Sequence, residues 1–163
     1  MAAMTYKRER ILRTYVFFVI SLLICAADQI TKDYIHRNLT LHEIIPITQF
    51  FNIVHYRNIG SAFGMFKGVG NPIFIALSVI IILAVSAMIM KTINDRLALS
   101  FFLGGAAGNM IDRIARGYVV DFLDVHIGLR HWPAFNVADS ALTVGIILLI
   151  LGQFSALNRK TAR

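Results

Sequence analysis

Apolar residues in this chain fall into long, nearly unbroken blocks, a pattern that predicts membrane-crossing helices rather than the alternating strands or striped helices of a water-soluble domain. Four such spans can be drawn. The first runs from about Ile11 to Ala27, interrupted by Arg13, Thr14 and Ser21, and stops at Asp28-Gln29. Its basic head and the small pair Ala26-Ala27 also fit a cleavable secretory signal, but three later spans favour a retained anchor. The second, Pro72 to Met90, is the clearest; its length of about nineteen residues at 1.5 Å each reaches roughly 28 Å, enough for a bilayer core. The third, Leu97 to Ile111, is shorter and rich in small residues, and Gly104 and Gly108 have the spacing that lets helix backbones approach closely. The fourth extends from about Val137 to Leu157.

Two polar segments separate these blocks, 28–71 and 112–136. Within the first, Ile44 to Tyr56 is rich in β-branched and aromatic residues and predicts a small sheet. It continues into Tyr56-Arg57-Asn58-Ile59-Gly60-Ser61-Ala62-Phe63-Gly64, where glycines permit tight turns or close approach to a ligand. The second is read as an outer loop holding Asp121, Asp124, His126, His131 and the single Trp132, a residue suited to a membrane interface. Lys7, Arg8, Arg10, Arg13, Lys91, Arg96, Arg159, Lys160 and Arg163 fall on one side of the four-span topology. The positive-inside rule makes that side cytoplasmic, with both termini, and turns the two polar segments outward.

Composition sharpens this picture. With 57% hydrophobic and 15% charged residues and a mean hydropathy of +0.67, the 163-residue chain reads as one membrane unit, 1–163. The net charge of +7 gathers largely at the chain ends and one short loop, with no basic patch interleaved with aromatics, so the expected partner is anionic membrane lipid and not nucleic acid. Cys25, alone in an apolar run, is read as a packing residue.

Asp121 and Asp139 are the best candidates for chemistry, because ionisable groups at the margin of apolar segments need a reason to be there. Two carboxyl groups held together share a proton, so that one can activate water while the other protonates a carbonyl. The plainer reading makes Asp139 a first-turn helix residue favoured by the helix dipole and Asp121 a solvated loop charge. Two other chemistries stay open on the residues alone. The aspartates could form the proton relay of a small transporter, or Asp121, Asp124, His126 and His131 could hold a hydrolytic metal, although their spacing matches no strong zinc signature.

Five ordered strings resemble lipoprotein signal peptidase, also called signal peptidase II, across essentially the whole chain. They are Asp28-Gln29-Ile30-Thr31-Lys32, Asn58-Ile59-Gly60-Ser61-Ala62-Phe63, Gly104 to Arg113, Val120-Asp121-Phe122 and Phe135-Asn136-Val137-Ala138-Asp139-Ser140. The resemblance implies a membrane α-helical fold of four transmembrane helices with a small extracytoplasmic β-sheet cradle and an outer loop over the active site. It implies a bacterial inner-membrane aspartyl endopeptidase with Asp121 and Asp139 as catalytic pair, no metal and no cofactor. Asn58, Gly60, Asn109, Arg113 and Asn136 would line or support the site, with Asp28, Lys32, Gly104, Gly108 and Asp112 as structural support. The implied substrate is a prolipoprotein cut just before its diacylglyceryl-cysteine, the implied inhibitor is globomycin, and a monomer is the expected state.

Overall fold

The computed structural model describes residues 2–60, 70–92 and 94–161, and the side chains of 14–60, 70–92 and 94–155. Four helices, α1 (Ala2–Asn38), α2 (Asn71–Lys91), α3 (Arg96–Ala115) and α4 (Val137–Thr161), form a bundle. Strands β1 (Ile44–Thr48) and β2 (Phe51–Asn58) follow α1, and β3 (Val119–Ile127) and β4 (Arg130–His131) follow α3. The basic residues of both chain ends used for orientation lie outside the described side chains, as do Ser61 to Gly64 of the glycine-containing string.

Helix α1 does not stop at Ala27, where the apolar block ends, but continues to Asn38. The reason is its buried stripe, Ser21, Cys25, Asp28, Lys32 and Ile35, whose spacing of three and four residues keeps one face on the bundle after the composition has turned polar. Asp28 and Lys32 end no helix because they satisfy each other, with Lys32 Nζ 2.8 Å from Asp28 Oδ2.

Three stretches are long and apolar enough to cross a membrane among the described residues: Thr14–Asn38, Asn71–Lys91 and Val137–Ser155. The third predicted span, in α3, is not one of them. Helix α3 packs against α1, α2 and α4 together, so its outer surface is mostly protein. Such a helix needs small residues for contact and can carry polar ones, and both lower its hydropathy. A Cβ on Gly104 would come within 2.7 Å of the Ser21 carbonyl oxygen, and one on Gly108 within 2.5 Å of Asp28 Oδ2. Val85 and Ile89 of α2 meet Leu99 and Leu103 of α3 in one apolar cluster. By contrast Ile80, Leu83 and Met90 of α2 and Ile147 and Leu151 of α4 stay exposed, as lipid-facing residues would.

The strands form one antiparallel sheet in the order β1-β2-β3-β4. The predicted sheet over Ile44 to Tyr56 is therefore present as β1 and β2. Segment 112–136 corrects the loop reading: 112–115 completes α3, and Asp121 lies within β3, opposite Tyr56. Val120 and Phe122 on either side pack with Ile35 of α1 in a second core cluster, which pins the strand over that end of the bundle. Gly128, at φ +58°, makes the turn into β4 in a conformation that side chains disfavour.

Candidate active site

The two aspartates arrive from different kinds of element. Asp121 is carried by β3 and is 3% exposed, while Asp139 stands in the first turn of α4 and is half-buried. That first turn is organised by Asn136, whose Oδ1 accepts the Asp139 backbone N–H at 2.9 Å, the bond expected of a helix N-cap. The same amide donates from Nδ2 to Asp121 Oδ1 at 2.7 Å. One buried asparagine therefore starts the helix bearing one aspartate and holds the carboxylate of the other.

Two further amides complete the arrangement. Asn58, at the end of β2, donates to Asp121 Oδ2 at 2.9 Å, and its Oδ1 accepts the Gly60 backbone N–H at 3.1 Å. Asn109 on α3 donates to Asp139 Oδ1 at 2.8 Å, while its own Oδ1 accepts from Lys32 Nζ at 2.9 Å and Asn136 Nδ2 at 3.3 Å. Each carboxylate thus has an asparagine donor, and neither forms an ion pair with a cation among the described residues. Arg113 is close behind, with Nη1 on the Asn109 carbonyl at 3.2 Å and its guanidinium over the Phe74 ring at 5.1 Å.

Burial, then the neighbouring Asp139 charge, pushes the Asp121 carboxyl from its ordinary 3.8 up to about 7. The raised value means that folding loses stability as pH climbs from about 4 to about 7, where the unfolded carboxyl has ionised and the folded one still holds its proton. Above about 7 the loss is complete. Asp121→Asn, which cannot ionise, is expected to be more stable than the parent at pH 8 by about 1–3 kcal/mol, after allowing for the acceptor it loses. Thermal unfolding of both proteins should show that gap close by pH 4.5; a gap equal at both pH values would contradict the raised carboxyl.

Both aspartates face a cavity of about 1040 Å³ between the sheet and the start of α4. Tyr56, Asn58, Gly60, Arg113, Trp132 and Phe135 contribute to its wall. Leu142 and Thr143 also line it, and their signal was available in the sequence, since positions three and four after Asp139 share its helix face. The wall is mainly apolar with a few polar groups converging near the carboxylates, a combination typical of a ligand-binding pocket.

Of the other named residues, Asp28, Lys32 and Asp112 are fully buried behind Asn109, away from the cavity lining. Gln29 was quoted only as part of a string, yet its Nε2 lies 3.0 Å from the Gly108 carbonyl oxygen and 3.2 Å from carboxylate oxygens of both Asp28 and Asp112. The suggested metal ligands separate into different environments. Asp121 is engaged by Asn58 and Asn136, whereas Asp124 accepts from Asn52 at 2.7 Å and lies 2.9 Å from His131, which stacks on His126. No group of three or more His, Cys, Asp or Glu side chains is placed to hold a metal ion among the described residues.

Comparison with known proteins agrees with the arrangement of strings along the chain. Residues 20–155 match the family described as Signal peptidase (SPase) II. A lipoprotein signal peptidase of Thermodesulfovibrio yellowstonii is 40% identical over 139 residues, covering 85% of this chain and 95% of the relative. One from Syntrophotalea carbinolica is 44% identical over 146 residues, covering 85% and 91%. Among solved structures, a bacterial membrane enzyme determined by the in meso method at 2.3 Å resolution superimposes with a TM-score of 0.81 at 33% identity, covering 89% of this chain and 91% of that one.

Proposed function

This chain belongs to the signal peptidase II family and removes signal peptides from prolipoproteins; on that premise, we propose that Asp121 and Asp139 carry out the hydrolysis as an aspartyl pair, cutting just before a diacylglyceryl-modified cysteine. The observation that carries the reading is the convergence of both carboxylates on one apolar cavity, each with an asparagine donor.

The raised Asp121 carboxyl holds the shared proton near neutral pH. Asp139, the more open of the two, takes a proton from water as the water oxygen attacks the scissile carbonyl carbon. Asp121 gives its proton to the carbonyl oxygen, forming a gem-diol. Asp139 then protonates the amide nitrogen as the C–N bond breaks, and the remaining diol proton returns to Asp121. Atoms and charges balance with the pair once again sharing one proton. Activity should fall as pH rises past about 7, where the pair loses that proton. A proton relay would instead want its acids mid-span, whereas Asp121 lies on β3 and Asp139 in the first turn of α4, at the sheet end of the bundle.

The same reading takes α3 as a fourth transmembrane helix. It places both termini in the cytoplasm, the sheet and aspartates at the outer face of a bacterial inner membrane, and makes the protein a monomer open to inhibition by globomycin. The test is cleavage by purified protein of one prolipoprotein with and without its diacylglyceryl group. The lipidated form should be cut at least about 100-fold faster, since apolar burial contributes about 0.8 kcal/mol per methylene. Equal rates would sink the substrate assignment.

A further inference from the structure

Three charges, Asp28, Lys32 and Asp112, are wholly enclosed between α1 and α3. Lys32 Nζ lies 2.8 Å from Asp28 Oδ2 and 3.3 Å from Asp112 Oδ2. Joining two helices does not require this, because well-packed apolar residues commonly do so equally well or better.

Each carboxylate also accepts a backbone N–H, which suggests what the charges are for. Asp28 Oδ1 accepts the backbone N–H of Ala138 at 2.8 Å, and Asp112 Oδ2 accepts that of Val120 at 2.9 Å. Ala138 immediately precedes Asp139, and Val120 immediately precedes Asp121. The third contact of the ammonium is Asn109 Oδ1, at 2.9 Å. That bond fixes which way round the Asn109 amide sits: reversed, its NH₂ would face the ammonium and its oxygen would face Asp139.

We propose that Lys32 is a positioning residue for the hydrolysis, the centre of a buried clamp that sets the spacing of Asp121 and Asp139 through the backbone before each and aims the Asn109 donor at Asp139. The clamp rests on the aspartyl-pair reading above. It explains why the charges lie behind the pair, out of reach of substrate, and why Gly108 has no side chain where Asp28 must pass.

Lys32→Met keeps the stem and removes the charge. On the lipidated precursor, the variant is expected to lose about 100-fold in kcat with KM changed less than about 3-fold, the pattern for misplaced reacting groups with an intact cavity. The basic limb of its kcat–pH profile should move to higher pH, because the carboxylate pair loses a fixed donor and a nearby cation. A merely structural role would lower the amount of active enzyme without moving that limb. An unmoved profile, or a parental kcat, would overturn the clamp.

If Lys32→Met does not fold, Asp112→Asn serves instead: an amide oxygen in the place of Oδ2 can still accept from Val120, but the charge that faces Lys32 and Arg116 is gone. A similar kcat loss is expected, with the basic limb now moved to lower pH because an anion near the pair is lost while the Lys32 cation stays, and an unshifted profile again overturns the proposal. Cleavage by the parent protein, and its loss in Asp139→Asn, separates failure of the clamp from failure of the aspartyl-pair reading.

Discussion

Asp139→Asn is expected to reduce turnover of the lipidated precursor by at least ~10⁴-fold, and Asp121→Asn by a similar factor, with substrate binding retained in both. The substitution hardly changes size, but an amide can neither take a proton from water nor share one with its neighbour. Acid–base catalysis by one positioned group is worth about 10²–10⁴-fold, and groups that act as a unit lose most of their joint effect when either is removed. The double variant should therefore be scarcely slower than either single one. Initial rates for all three, with lipopeptide binding measured separately, check this. A near-parental rate in either single variant would end the aspartyl-pair mechanism.

Asn136→Leu should have the second-largest effect, about a 10³-fold loss in kcat together with reduced stability. Its amide both donates to Asp121 Oδ1 and accepts the Asp139 N–H, so one substitution removes a donor from one aspartate and the cap that orients the other. Loss of an N-cap alone costs about 1–2 kcal/mol. Loss of an electrostatic donor at a reacting group typically costs about 10²–10³-fold in rate. Asn136→Asp offers a useful contrast, since its carboxylate can still cap α4 but places a third negative charge beside the pair. It should recover much of the thermal stability and little of the rate. Full recovery of both would show that Asn136 serves only as a cap.

The sequence made the bundle legible because apolar blocks are long and membrane spans have a fixed minimum length. It misjudged elements where tertiary contact, not local composition, decides. Helix α1 passes through Asp28 and Lys32 because partners on α3 and α4 enclose them. Helix α3 is low in hydropathy because other helices surround it. Strand β3 was hidden by Asp121 and Asp124, two charges that argue for a loop until their asparagine partners are known. Even so, Val119-Val120 and Phe122-Leu123 carried a strand signal that the aspartates masked. The candidate pair was legible from its strings, but its meeting point was not, because nothing in the spacing of positions 121 and 139 requires a strand and a helix start to converge.

That convergence depends on contacts between remote parts of the chain. The Asp28 to Ala138 bond closes a separation of 110 residues, and the Asn58 to Asp121 bond one of 63. Loop closure of this length is entropically late, since non-local contacts form only after the intervening chain has been ordered. A nascent chain with α1 and α2 in place therefore has neither aspartate, and one that ends before α4 has only Asp121. With Asp121 and Asp139 as the proposed pair, proteolytic competence arrives with the last helix, so partly made copies would have no working pair to turn on their neighbours.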